Sequence, residues 1–231
     1  MAYDERKLCV TCAWRGTCQL KYSMPGGVAL HCVEYTRDVT LKEPEDQFRK
    51  RNVLIVGPGG IGKTTLVKRV VERTGLRSGG YLTREVKDGL FKSHVELALL
   101  PDGVRMVTLT DPKAVPGWVR AGKQYVNVAA VEAVLVPALQ EAVRSGETDL
   151  IVLDEVSRLE CLSELFRRQV VDCITSSKSI LATMSVGGRD DEFLLSLESR
   201  SDVTVLPIGY ENRDRLVEQV AFMLTGEEVM K

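Results

Sequence analysis

The stretch NVLIVGPGGIGKTTL, Asn52 to Leu66, decides how the rest of the chain is read. After Asn52 come four apolar residues, Val53 to Val56, the kind of short β-branched run that forms a strand buried on both faces. GPGGIGKT, Gly57 to Thr64, then matches G-x-x-x-x-G-K-[ST], placed after a strand and at a helix start. In such a loop glycines let backbone N–H groups turn inward around phosphate oxygens, and the helix N-terminus adds partial positive charge. Gly57, Pro58, Gly59, Gly60, Ile61, Gly62, Lys63, Thr64 and Thr65 are therefore the candidate nucleotide ligands. Lys63 is expected to reach the β- and γ-phosphates, and the Thr64 hydroxyl to bind Mg2+. The plain alternative is a glycine-rich turn that matches by chance.

Outward from this point the chain alternates strand and helix. KTTLVKRVVERT carries Leu66, Val67, Val70 and Val71 at helical spacing, and Gly75 marks its end. GGYLTREV, SHVELALL and VRMVTLT, between 78 and 110, read as three strands, the last two joined across PDG. Asn127 is placed to cap a helix over about 128–144, with Pro137 inside it as an expected kink. A strand over 149–154, a helix to about Ser176, the strand SILATM, a short helix near 190–199, the strand DVTVLP and a helix over 211–224 complete the pattern. Such alternation implies an α/β fold, a mostly parallel sheet with helices on both faces.

The strand at 149–154 lies in DLIVLDEVSRLE and ends in two adjacent carboxylates, Asp154 and Glu155. An acid at the end of a second hydrophobic strand is where a phosphate-cradling protein holds magnesium, so Asp154 joins Thr64 as a candidate Mg2+ ligand. Glu155, one residue on, can orient and deprotonate a water for in-line attack; the alternative is that it caps the following helix. Arg158 offers a cationic fork for charge developing on the γ-phosphate, or an ordinary pairing with Glu155 or Glu160.

GPGGIGKTTL, GYLTREV (80–86), GKQYVNV (122–128), LIVLDEVSRLE and ENRD (211–214), in that order, resemble a family of small nucleoside-triphosphatases that includes thermostable archaeal and bacterial enzymes and a cancer-related nucleoside-triphosphatase. The resemblance covers roughly residues 53 to 224. It implies a P-loop NTPase three-layer sandwich of the catalytic-glutamate class, with an extra strand between the two motif strands, for which the segments from 78 to 110 give room. It also implies Mg2+-dependent hydrolysis of several nucleoside triphosphates, ATP and GTP among them, with loose base selectivity. By position it makes Glu155 the base, puts Arg158 where the family usually has lysine, and brings Asn212 and Arg213 toward the base or ribose. The family's DEIGKME stands here as DEVSRLE, so Ser157 replaces a glycine; Lys123, in GKQYVNV, is a cation the family tends to keep, or a solvated loop lysine.

The resemblance does not reach the N-terminus. Cys9, Cys12, Cys18 and Cys32 there make a C-x-x-C pair and a returning pair, a set of soft ligands that suits structural Zn2+ first and an iron–sulfur cluster second. So short and polar a segment would take its stability from the metal. Residues 1–40 are thus expected to form a small metal-binding module, 41–51 a linker, 52–226 the NTPase domain and 227–231 a tail. Trp14, Arg15, Lys21 and Tyr22 suit the filling of a small knuckle better than nucleic-acid binding, and no protein partner of the module can be named. Cys161 and Cys173 are expected to be buried core thiols.

The chain has 231 residues, with 31 Lys plus Arg against 32 Asp plus Glu, so no global field gathers nucleic acid or anionic membrane. The charged start and the lack of a long apolar run suggest a cytoplasmic protein without a membrane role. Two other functions share the cradle. One is a nucleoside or nucleotide kinase, for which the arginine-rich lid is missing between 158 and 200, Arg167 and Arg168 falling mid-helix. The other is a nucleotide-gated switch or metal sensor that uses the cysteine module to bind a partner.

Overall fold

The structure is a computed structural model, and it describes Thr17 and residues 51–88, 91–101, 106–111, 113–186 and 191–226. The chain divides into two units at Phe48 and Arg49. The cysteine module, most of the linker and the 227–231 tail lie outside the described residues.

Strands β1 (Asn52–Gly57), β2 (Ser78–Asp88), β3 (Phe91–Leu100), β4 (Met106–Asp111), β5 (Val119–Ala121), β6 (Gln124–Val126), β7 (Leu150–Asp154), β8 (Ser179–Ser185) and β9 (Val203–Pro207) form one sheet among the described residues. Its order is β5-β6-β4-β3-β2-β7-β8-β1-β9. Five strands, β2, β7, β8, β1 and β9, are parallel, whereas β3, β4, β6 and β5 extend the sheet by antiparallel pairing. The sheet is therefore mixed rather than mostly parallel. Connections as short as those from β2 to β4 can close only antiparallel neighbours, since a parallel crossover needs a dozen or more residues.

An extra strand does separate the two motif strands, but it is β8, which lies between β7 and β1. The segments from 78 to 110 lie on the far side of β7 instead. Their hydrogen bonds close on one another, leaving only β2 to pair with β7.

Helix α1 (Lys63–Thr74) ends at Gly75, φ 63, whose N–H bonds back to the Val71 carbonyl. Helix α2 is composite: α-helical over Val128–Ala130, π-helical over Val131–Leu135 and α-helical again over Val136–Arg144. The kink expected at Pro137 thus takes the form of a π turn, which already departs from the i→i−4 ladder where the proline N–H is missing. Helix α3 spans Glu164–Thr175, α4 Glu192–Glu198 and α5 Arg213–Thr225. The helix expected directly after Asp154 does not start until Glu164, where the Ser163 hydroxyl accepts from Phe166 N. A 3-10 turn over Glu160–Leu162 precedes it.

The period of two along each strand splits the core into two layers. Val53 and Ile55 of β1 and Leu150 and Val152 of β7 face the side occupied by α1 and α5. Leu54, Val56, Ile151 and Leu153 face the side with Phe166, Val170 and Leu139, from α3 and α2. Because both faces are covered, the central strands read as unbroken apolar runs. Cys161 and Cys173 are buried, and burial pushes both thiols up, Cys173 to about 12. Among the described residues no helix is long and apolar enough to cross a membrane.

β2 lies so close to β7 that Gly80, at φ 108, has no room for a side chain: a Cβ there would sit 2.1 Å from the Val152 carbonyl oxygen. Gly80→Ala is expected to cost about 3 kcal/mol or more, from positive-φ strain plus overpacking. Gly146→Ala, at a site open to solvent, should be close to neutral. Urea unfolding midpoints of the two variants measure the difference.

Candidate functional site: a phosphate cradle with paired acids

The C-terminal ends of the parallel strands meet along one edge of the sheet, where such folds bind ligands. Register puts Gly57 of β1 beside Ser185 of β8, and Leu82 of β2 beside Asp154 of β7. A cavity of about 360 Å³ opens over this edge, lined by Gly59, Gly60, Gly62, Lys63, Thr64 and Thr65 on one side. Across it stand Glu155, Ser157, Glu160 and Ser185, together with Thr83 and Glu85 of β2, Val95 of β3 and Gln124 of β6. Gly60 (φ 77) and Gly62 (φ 104) take backbone conformations that side chains disfavour, which lets the loop curl at the mouth of α1.

Gly57 and Pro58 contribute carbonyls: Lys63 Nζ donates to Gly57 O at 3.1 Å and Pro58 O at 3.2 Å. Ile61 is buried and anchors the loop in the core. Lys63 Nζ also donates to Ser185 Oγ at 3.0 Å and pairs with Glu155 Oε2 at 3.2 Å, while Ser185 Oγ donates to Glu155 Oε1 at 2.9 Å. Glu155 therefore stands at the cradle beside Lys63. With α3 beginning only at Glu164, it caps no helix.

Asp154 is fully buried; its Oδ1 accepts from Thr183 Oγ1 at 2.6 Å. Its Oδ2 has no hydrogen-bond partner among the described residues. Burial raises its carboxyl above the ordinary value, against the pull of the Thr183 and Thr64 hydroxyls. An orphaned carboxylate oxygen near a threonine hydroxyl is an all-oxygen donor set that fits a hard cation such as Mg2+. The described residues hold no cluster of three or more His, Cys, Asp or Glu suited to a metal, and Cys9, Cys12, Cys18 and Cys32 lie outside them.

Arg158 is exposed on the same turn and is not among the side chains lining the cavity. Lys123 is exposed at the β5–β6 turn, next to Gln124, which does line it. A second cavity, of about 270 Å³, lies beside the cradle and is lined by Gly62, Thr65, Leu66, Arg69, Arg213 and Asp214. Arg213 stacks over the Tyr210 ring at 5.6 Å, and Tyr210 is 75 % exposed. The Asn212 side chain is bound to its own loop, accepting from Gly209 N at 2.8 Å and donating to Pro207 O at 2.9 Å.

Sequence reasoning missed Ser185, Thr183, Thr83 and Gln124. Ser185 ends β8 and Thr183 lies two residues before that end, a position rule that could have marked both once the strand order was known.

The fold and the cradle define a P-loop α/β nucleotide-binding domain. A family model described as NTPase matches residues 52–221, and the chain belongs to that nucleoside-triphosphatase family. Nucleoside-triphosphatase THEP1 of Thermotoga maritima is 32% identical over 172 residues, which are 74% of this chain and 94% of that protein. THEP1 of Thermococcus kodakarensis is 39% identical over 137 residues, 57% of this chain and 74% of its own. Among solved structures, THEP1 from Aquifex aeolicus aligns with a TM-score of 0.64 at 27% identity, covering 75% of this chain and 99% of that one. A human cancer-related nucleoside triphosphatase aligns with a TM-score of 0.64 at 28% identity, covering 77% and 98%.

Glu160 is 2 % exposed, and burial, with the charge of Glu155 adding to it, raises its carboxyl from 4.5 to about 7. The native state therefore holds a proton that the unfolded chain has lost between about pH 4.5 and 7. This contribution to stability is complete below pH 4.5, shrinks as pH rises through the window and is gone above about 7. Relative to Glu160→Gln, the wild type is expected to lose about 3 kcal/mol from pH 4.5 to 8, at about 1.4 kcal/mol per pH unit across the window. Urea titrations of both proteins at several pH values read this; a constant difference would mean that Glu160 titrates alike in the folded and unfolded chains.

Proposed function

We propose that the protein hydrolyses the terminal phosphoanhydride of nucleoside 5′-triphosphates, with magnesium and with little selectivity among bases. The observation that carries this reading is the contact of Glu155 with Lys63 and Ser185 at the wall of the phosphate cavity. A carboxylate held there is within reach of a water lying beyond a terminal phosphate.

The triphosphate lies along the Gly59–Thr65 backbone, and its γ-phosphate competes with Glu155 for Lys63. Once freed, Glu155 takes a proton from the water, whose oxygen bonds to phosphorus as the bond to the bridging oxygen breaks. The electron pair leaves on the nucleoside diphosphate. Thr64 and the orphaned Asp154 oxygen would hold Mg2+, which when bound neutralises charge on the phosphate oxygens. Ser185 steadies Glu155 and Lys63 throughout.

Loose base selectivity is supported by the surface that adjoins the second cavity at Arg213. An exposed Tyr210 ring paired with Arg213 offers a flat face to any base, and stacking does not distinguish base edges. The Asn212 amide, the nearby group best suited to read an edge, is engaged by its own loop. The kinase alternative gains nothing from Arg167 and Arg168: the first bonds Cys161 O and Asp191, the second Glu164.

Glu155→Gln should keep nucleotide binding and lower kcat by about 10²- to 10⁴-fold, the range of a general base. Phosphate release from ATP, GTP, CTP and UTP with magnesium and no acceptor tests this; unchanged turnover in the variant would remove Glu155 from the chemistry. Tyr210→Ala should weaken all four nucleotides by a similar factor, about fivefold or more, if stacking holds the base. A loss confined to one base, read by titration calorimetry, would instead point to edge recognition.

A further inference from the structure

The turn between Asp154 and α3 carries both Glu155 and Arg158, yet it has no regular secondary structure before the short 3-10 turn. Something must hold its shape. Tyr81 OH donates to Glu155 O at 3.0 Å, and Val156 N donates to Thr183 O of β8 at 2.9 Å. From there on the turn depends on one side chain. Glu160 Oε2 accepts from both Ser157 N, at 3.0 Å, and Ser157 Oγ, and Ser157 Oγ in turn accepts from Leu159 N at 3.2 Å. Cys161 N closes the loop on Ser157 O at 3.0 Å.

We propose that Glu160 is a positioning residue for hydrolysis, its buried carboxylate bracing Ser157 so that the turn presents Glu155 to the attacking water. The proposal rests on the hydrolytic reading of the site. Three observations support it. Glu160 lines the phosphate cavity while being 2 % exposed, so it is part of the site's wall and not of the solvated surface. No cation pairs with it among the described residues, and burial drives its proton affinity up. A buried acid held at such a cost is a poor way to stabilise a fold, since an apolar or amide side chain would do so with less penalty. Ionised, however, it accepts two charge-assisted bonds on one oxygen, a stiffer brace than a neutral group provides. The hydroxyl half of that brace comes from Ser157.

The test compares Glu160→Gln and Ser157→Ala with wild type in steady-state phosphate release from ATP with magnesium, with urea midpoints measured on the same samples. Glutamine keeps the shape and removes the charge; alanine keeps the Ser157 amide bond and removes the hydroxyl. The expected result is a kcat about tenfold or more lower in Glu160→Gln and about threefold lower in Ser157→Ala, with KM within about twofold of wild type, because the Gly59–Thr65 cradle is untouched. Stability at pH 8 should be unchanged or higher in Glu160→Gln. A residue serving only the fold would instead lose stability, affinity and turnover together, and that outcome would overturn the proposal. So would wild-type kcat in either variant. Absence of turnover in the wild type itself would defeat the hydrolytic reading, and is distinguishable from both.

Discussion

Lys63 is a full positive charge that is only 5 % exposed, and the arrangement of the site depends on satisfying it. A buried ammonium is tolerated only when oxygen atoms surround it. Here those oxygens come from the Gly57 and Pro58 carbonyls, from Ser185 at the end of β8 and from Glu155 just past β7. Three adjacent strands must therefore end at the same level, which the register of β7, β8 and β1 provides. The ion pair with Lys63 in turn holds Glu155 at the cradle.

The two halves of the sheet contribute differently. The parallel half, buried on both faces, fixes the cradle, Asp154 and Ser185 in a frame with little freedom. The other wall comes from β2 beyond its pairing with β7, through Thr83 and Glu85, and from the antiparallel extension, through Val95 and Gln124. Arg213, on the wall of the neighbouring cavity, lies over the exposed ring of Tyr210.

The cradle was legible because it is local: eight consecutive residues between a strand and a helix contain the whole motif. The placing of Asp154 and Glu155 at the end of β7 was legible for the same reason, and Cys161 and Cys173 are buried as expected. Sheet order was not. SILATMS, free of charge, reads as a buried strand, but an apolar run does not say which two strands it lies between. Nor did helical spacing reveal that residues 155–163 stay irregular, because the bonds that hold them come from Tyr81, Thr183 and Glu160.

By itself, then, the sequence determined the phosphate loop, the acid pair, the alternating α/β class and the family, all of which rest on residues near one another in the chain. Only the tertiary structure decided that β8 stands between the motif strands, that Ser185 joins Lys63 to Glu155, that Asn212 is spent on its own loop and that Glu160 is buried within the turn that follows Glu155. The first two join residues far apart in sequence; the Asn212 and Glu160 bonds are local, but the burial of Glu160 is tertiary. Packing and hydrogen-bond satisfaction choose among patterns that local propensity leaves equivalent.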